Sequence, residues 1–221
     1  MANSLNIIIL AAGKGTRMNS TKPKVLHEIA NKEMLLHVIS CSNKLNPKNI
    51  YVVLGKDNNN IKSILPSNVK ILIQKEQLGT AHALLCGKEK IGKNKESLLV
   101  LYGDVPLLET NTLKKLINKS KNKISMLGFE PLISKGYGRI KLNNNKVSEV
   151  VEEKNLKGAD RNLRICNSGI FCGSAKTIYD LLRKVKRNKT KREFLLTDKK
   201  NNILAKGNQT VKLISDYYKK K

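Results

Sequence analysis

In "LAAGKGTRM", Leu10–Met18, a short apolar run leads directly into Gly13, Lys14, Gly15 and Arg17. Glycines let backbone amides approach a ligand closely. A lysine and an arginine bring two cations to the same turn. Amide donors and cations together suit a polyphosphate. The turn is not the dinucleotide fingerprint, because Met18 stands where G-x-G-x-x-G needs its last glycine, and it is not a Walker A loop, which ends in Gly-Lys-Ser/Thr. A further cation, Lys24, follows in "KPKVLH". Asp104 in "VLYGDVPLL" comes at the end of another apolar run, where a carboxylate suits a divalent cation. His27, His37 and His82 are spaced irregularly and read as structural or surface residues. Cys41, Cys86, Cys166 and Cys172 form no C-x-x-C pair and no zinc spacing, and read as small core residues in a reducing compartment. There is no Ser-His-Asp or Cys-His set that calls for nucleophilic catalysis.

The elements that must position these groups alternate in type. "LNIIILAA" is a continuous apolar run of strand length, expected to be buried on both faces. "NIYVVLG", "VKILI", "SLLVLYGD" and "KISMLGFE" read as further strands; "EMLLHVISCSNKL", "GTAHALLCGKE" and the amphipathic "TNTLKKLINKS" read as helices. Through residue 130 this order predicts a parallel sheet with helices on both faces. In such a sheet ligands bind beyond the carboxyl ends of the strands, which is where the glycine turn and Asp104 fall. After residue 130 "GYGRIKL", "KVSEVVEE" and "LRICNSGIFCG" are strand-like, with a hairpin turn at Asn143–Lys146. "AKTIYDLLRKV" reads as a helix and "TVKLI" as a short strand. The expected fold is α/β: a Rossmann-like, mostly parallel sheet with a smaller mixed or antiparallel part over one end.

The chain has 221 residues, enough for one domain, and a net charge of +26. Lysine is spread along the whole chain together with much asparagine and isoleucine, which marks a compositional bias. The densest cluster, Arg183–Arg192, reads as a solvated helix end and loop. With no Trp and three Phe, base-stacking platforms are scarce, so nucleic acid is not an expected partner. The positive field instead draws in small anionic substrates. No apolar run reaches the length of a spanning helix, and Leu5–Ala12 lacks the flanks of a signal peptide. A cytoplasmic protein with no membrane partner is expected.

The stretches "LAAGKGTRM", "KPKVLHEIANKEML", "QKEQLGTAHAL", "VLYGDVPLL", "GYGRI", "VVEEK" and "NSGIF" occur in an order, and at intervals, that resemble the bacterial UDP-N-acetylglucosamine pyrophosphorylases. These are N-acetylglucosamine-1-phosphate uridylyltransferases of the sugar nucleotidyltransferase superfamily. The resemblance covers about residues 5–198. "PKVLH", "EQLGTAHA" and "GYGRI" are its most specific parts. It implies that UTP and N-acetylglucosamine 1-phosphate are the substrates, that Mg2+ is the cofactor, and that the product is a precursor of peptidoglycan and lipopolysaccharide. It implies backbone contacts to uridine from Leu10, Ala11, Ala12 and Gly13, and triphosphate binding and charge stabilisation by Arg17 and Lys24. Gln74, Gly79 and Thr80 would meet the uracil. Tyr102, Gly103 and Asp104 would line the junction of nucleotide and sugar, with Asp104 as the metal ligand. Gly138, Glu152 and Asn167 would hold the N-acetylglucosamine. The single domain, 1–221, would then divide into a nucleotide part, about 1–130, and a sugar part, about 131–198.

The resembled proteins continue into a Gly-Val-Asn segment that supplies a second metal ligand, and then into a β-helix that carries acetyl transfer and forms a trimer. This sequence ends at "ISDYYKKK" with neither. Lys199, Lys200, Asn201 and Asn202 stand where an apolar helical face is expected. The expectation is therefore a monomer or weak dimer without the β-helix trimer and without acetyl transfer. Three alternatives remain open at this point: a nucleotide-sugar binding protein with little turnover, a related sugar-1-phosphate nucleotidyltransferase, and a nucleic-acid binder.

Overall fold

Strand β1 (Leu5–Leu10) is buried along all six residues. Alternate side chains of a strand face opposite sides, so β1 feeds two cores. Ile8 and Leu10 pack on one face of the sheet, and Ile7 and Ile9 on the other. The computed structural model describes residues 4–13, 15, 18, 20–91, 96–121, 123–144, 146–185 and 194, and the backbone of 210–214.

Helix α1 (Met34–Asn43) buries Leu35, Val38 and Ile39, an i, i+3, i+4 set, on the core of Ile7 and Ile9. Helix α5 (Thr110–Lys119) joins the same face through Leu113 and Leu116. Helices α3 (Thr80–Leu85) and α6 (Ala175–Leu182) cover the opposite face through Ala81, Leu84, Ile178, Tyr179 and Leu182. Two one-turn helices, α2 (Asn59–Lys62) and α4 (Lys88–Ile91), complete the α-helices among the described residues, and short 3-10 turns stand at Lys24–Leu26, Glu153–Asn155 and Gly158–Asn162.

The main sheet has nine strands in the order β5-β4-β1-β6-β10-β7-β11-β9-β8. Strands β5 (Val69–Gln74), β4 (Asn49–Gly55), β1 and β6 (Ser97–Tyr102) are parallel. Strand β10 (Cys166–Ser174) runs antiparallel between β6 and β7 (Ser125–Phe129). Strand β11 (Thr210–Ile214) lies parallel to β7, and the hairpin β8 (Arg139–Asn143) and β9 (Lys146–Val151) follows it at the edge. The Rossmann-like, mixed α/β fold read from the sequence is therefore present. The later strands differ from expectation in one respect: they extend the same sheet, and one of them sits near its centre. The reason lies in β10 itself, where Ile170, Phe171 and Cys172 are all buried and contribute to both cores.

A small ribbon, β2 (Glu28–Ile29) and β3 (Lys32–Glu33), turns through Ala30 and Asn31, both at positive φ as a type I′ hairpin turn requires. All four cysteines are free; three are buried and Cys86 is partly so. Most of the 183–192 cluster, and the 199–202 segment, lie outside the described residues.

Candidate active site

From β1 the chain goes to β4 and β5 on one side and to β6 on the other, so the sheet reverses its winding between β1 and β6. The crevice beyond such a switch point is where open α/β sheets bind ligands. Leu10 and Tyr102, the last residues of the two strands, are register partners. The first turn of the crevice is anchored on both sides: the Ala11 N–H donates to the Val53 carbonyl (3.0 Å) and the Gly103 N–H to the Leu10 carbonyl (3.0 Å). Ala11 and Ala12 are buried while Gly13 is exposed, so the chain emerges at the start of the glycine turn. Gly15 has φ +62°, and a Cβ there would stand 3.0 Å from the Lys24 Cβ. The turn is thereby packed onto Lys24. Lys14 and Arg17 lie outside the described residues.

Lys24 Nζ reaches the Asp104 carboxylate at 2.7 Å, with both side chains partly exposed. Gly103, just before Asp104, has Leu35 and Val25 methyls at 3.1 Å from where a Cβ would be, which fixes the chain as it leaves β6. The Tyr102 hydroxyl hydrogen-bonds Thr80 at the start of α3. Burial pushes its ionisation well above the ordinary phenol value, and the nearby Asp104 and Glu152 carboxylates push it in the same direction. Tyr102 is thus a neutral phenol among three elements. Gly169, at φ +78°, lies flat against its ring: a Cβ there would be 2.6 Å from Cε2.

Gln74 closes β5 and donates from its side-chain nitrogen to the Gly79 carbonyl (3.1 Å). Gly79, at φ +93°, caps α3 in a conformation that favours glycine. Gly138, Glu152 and Asn167 come together around β8, β9 and β10. The Asn167 N–H donates to the Gly138 carbonyl (2.9 Å), and a Cβ on Gly138 would meet the Val151 carbonyl at 3.3 Å and Glu152 Oε1 at 3.7 Å. Asn167 Oδ1 accepts the Gly169 N–H (2.9 Å), at the bulge where β10 shifts register against β7.

Several residues of this region carried no role in the sequence reading. Gln77 passes over Gly55 and donates to the Ala12 carbonyl at 2.6 Å, tying the loop after β5 to the loop after β1. Arg139 is buried and holds the turn before β8 through Ser134 Oγ (2.7 Å) and the Tyr137 carbonyl. Glu153, next to Glu152 in sequence, accepts the Gly136 N–H at 2.5 Å, because β9 ends at Val151 and a 3-10 turn follows. Phe194 accepts from the Ala81 N–H and donates to the Leu78 carbonyl. The sequence signals for these were the places of Gln77 in "EQLGTAHA", Arg139 in "GYGRI" and Glu153 in "VVEEK"; Phe194 had none.

The residues present fit a hard cation with few protein ligands. Asp104, paired with Lys24 in this structure, would supply one carboxylate, and the described residues contain no group of three His, Cys, Asp or Glu able to hold a metal. Such a donor set suits Mg2+, which keeps waters and leans on substrate phosphates, and does not suit structural Zn2+.

Residues 7–130 match the MobA-like NTP transferase domain, and the chain belongs to this family of nucleotidyltransferases. Among curated proteins it is 34% identical over 220 residues to the bifunctional protein GlmU of Novosphingobium aromaticivorans, covering 98% of this chain and 49% of that protein. It is 40% identical to GlmU of Fervidobacterium nodosum over 88% of this chain and 43% of that one, and 39% identical to GlmU of Neisseria meningitidis over 93% and 45%. The chain thus spans about half the length of the curated relatives it matches. A putative glucose-1-phosphate thymidylyltransferase of Bacillus anthracis shares the fold at TM-score 0.76 and 20% identity, over 96% of this chain and 87% of that one. HddC of Yersinia pseudotuberculosis does so at TM-score 0.68 and 24% identity, over 94% and 89%. Among the described residues no helix is long and apolar enough to cross a membrane.

Proposed function

We propose that the protein is a Mg2+-dependent uridylyltransferase that makes UDP-N-acetylglucosamine and pyrophosphate from UTP and N-acetylglucosamine 1-phosphate. The observation that carries this reading is the Lys24–Asp104 pair, 2.7 Å apart just beyond the carboxyl end of β6, where Tyr102 pairs in register with Leu10 of β1 and its ring lies against Gly169 of β10. Cation and carboxylate thus stand together where the end assigned to the nucleotide meets β10, the strand that carries Asn167 of the end assigned to the sugar.

The reaction is a displacement at the α-phosphorus. A phosphate oxygen of the sugar phosphate attacks, the bond to the β-phosphate bridging oxygen breaks, and pyrophosphate leaves. The attacking oxygen is already anionic, so no side-chain base is required, and catalysis rests on positioning and charge neutralisation. Lys24 and Arg17 are assigned to the triphosphate and leaving group. Leu10, Ala11, Ala12 and Gly13 offer backbone to the uridine, with Gln74, Gly79 and Thr80 at the base. Gly103 packs against Leu35 and Val25 and so sets the position of Asp104. Gly138, Glu152 and Asn167 are assigned to the sugar. Asp104 would hold Mg2+, which when bound neutralises charge on the phosphates.

The test is pyrophosphate release from UTP, N-acetylglucosamine 1-phosphate and Mg2+ by the purified chain. An Asp104→Ala variant should lose about 100-fold or more in kcat/KM. CTP, GTP and dTTP in place of UTP, and glucose 1-phosphate in place of the amino sugar, separate this reading from related nucleotidyltransferases. Binding of UDP-N-acetylglucosamine without turnover would replace the enzyme by a binding protein.

A further inference from the structure

Gln74 is 3% exposed, and its amide is held from two sides. The side-chain nitrogen lies 3.1 Å from the Gly79 carbonyl oxygen and 3.0 Å from His82 Nδ1. A carbonyl oxygen can only accept, so the end of the amide facing Gly79 is the NH2 group. Its second hydrogen then meets His82 Nδ1, which must accept, and the imidazole carries its proton on Nε2. The ring is itself held, stacked on Phe194 at 6.2 Å between centroids, while the Phe194 backbone bridges Leu78 and Ala81. Both amide hydrogens are thus used. Among the described residues nothing donates to Gln74 Oε1, and accepting is the hydrogen-bonding capacity the amide has left.

We infer that His82 is a specificity-determining positioning residue. By holding the Gln74 nitrogen it leaves a bare acceptor for the nucleobase, and so selects bases that present a ring N–H. Uracil and thymine offer N3–H, and guanine offers N1–H. Cytosine and adenine offer an unprotonated ring nitrogen at the same edge, and two acceptors facing each other repel and leave a buried polar group unpaired. The inference rests on the reading above that Gln74 faces the base. The choice among bases with a ring N–H belongs to other contacts.

The experiment is calorimetric titration of the full chain with UTP, CTP, GTP, dTTP and ATP, beside pyrophosphate release, for the native protein, His82→Asn and His82→Phe. Asn keeps an acceptor oxygen near the position of Nδ1. Phe keeps a ring against Phe194 and removes the acceptor; His82→Leu is the substitute if the Phe variant does not fold. The native preference for UTP over CTP should be about 100-fold. It should stay within about threefold of that in His82→Asn and fall at least about tenfold in His82→Phe. An unchanged preference in His82→Phe, or equal losses in both variants, overturns the inference and leaves His82 a packing residue. So does native preference for CTP or ATP. Native preference for GTP or dTTP over CTP and ATP supports it while sinking the uridylyl reading, and failure to bind any nucleotide overturns both.

Discussion

At the scale of single residues the site depends on what glycines leave empty. Gly169 has no side chain where a Cβ would stand 2.6 Å from one Tyr102 ring carbon and 3.0 Å from the next. It also sits at φ +78°, where an L side chain is strained by about 1–2 kcal/mol. Gly169→Ala should therefore displace the Tyr102 ring and, on the proposed function, which puts Tyr102 at the junction of nucleotide and sugar, lower kcat/KM for the sugar phosphate by about tenfold. Backbone strain alone would act whatever residue stands at 102. The deciding measurement is accordingly a double-mutant cycle with Tyr102→Ala: the loss should shrink once the ring is gone, and a loss that persists in full would show that strain, and not the ring, is responsible. In the sequence, "AAG", "YGD" and "NSG" singled out residues that the structure sets just beyond β1, at the end of β6 and at the bulge of β10. Their contacts were not legible there, because they join residues far apart in the chain. Gln77 to Ala12 spans 65 positions and Lys24 to Asp104 spans 80.

Elements carry the site at one edge of the sheet and are fastened at the other. At the amino ends of the parallel strands, the Glu96 carboxylate accepts from Lys48 Nζ (2.6 Å) and from the Asn6 side chain. Asn6 accepts in turn from Asn49 (2.9 Å), which accepts from Lys70 (2.7 Å). This row crosses β6, β1, β4 and β5. The hydrogen bond from Lys48 is the main reason that the Glu96 carboxyl is held at about 2, below its usual 4.5. A depressed carboxyl contributes stability that is present above pH 4.5 and is lost as the pH falls toward 2. Lys48 is 54% exposed, so solvent screening limits the gain to about 1–2 kcal/mol. Urea unfolding should show Glu96→Gln less stable by that amount at pH 7, with the gap closing near pH 2; a gap equal at both values would remove the charge from the explanation. The strands themselves were readable from their apolar runs, and α1, α5 and α6 from helical spacing. The place of β10 was not, because local periodicity sets the type of an element and long-range packing sets its neighbours. The β2–β3 ribbon was missed because its turn puts an alanine at positive φ, where sequence signals look for glycine or asparagine.

For the whole molecule the decisive fact is that one sheet runs through both the proposed nucleotide end and the proposed sugar end. The expected boundary near residue 130 separates a nucleotide part from a sugar part in sequence, yet β10 lies between β6 and β7, which both precede that boundary. Residues 7–130, the stretch that matches the family, hold β1, β4, β5, β6 and β7 but lack the strand that joins β6 to β7. Without β10, the inner edge of β6 presents unpaired backbone groups, and both cores lose Ile170, Phe171 and Cys172. They also lose α6, whose Ile178, Tyr179 and Leu182 cover the face of β1 that carries Ile8. Unpaired strand edges and uncovered apolar faces aggregate. A fragment of residues 1–130 should therefore show no cooperative thermal transition, while the full chain should unfold in one, with calorimetric and van't Hoff enthalpies equal. Circular dichroism and scanning calorimetry on the two proteins decide it. A fragment that melts cooperatively, or a full chain that melts in two steps, would mean that the nucleotide end is a folding unit in its own right. A single transition means instead that the crevice between the two ends exists only when the whole sheet does.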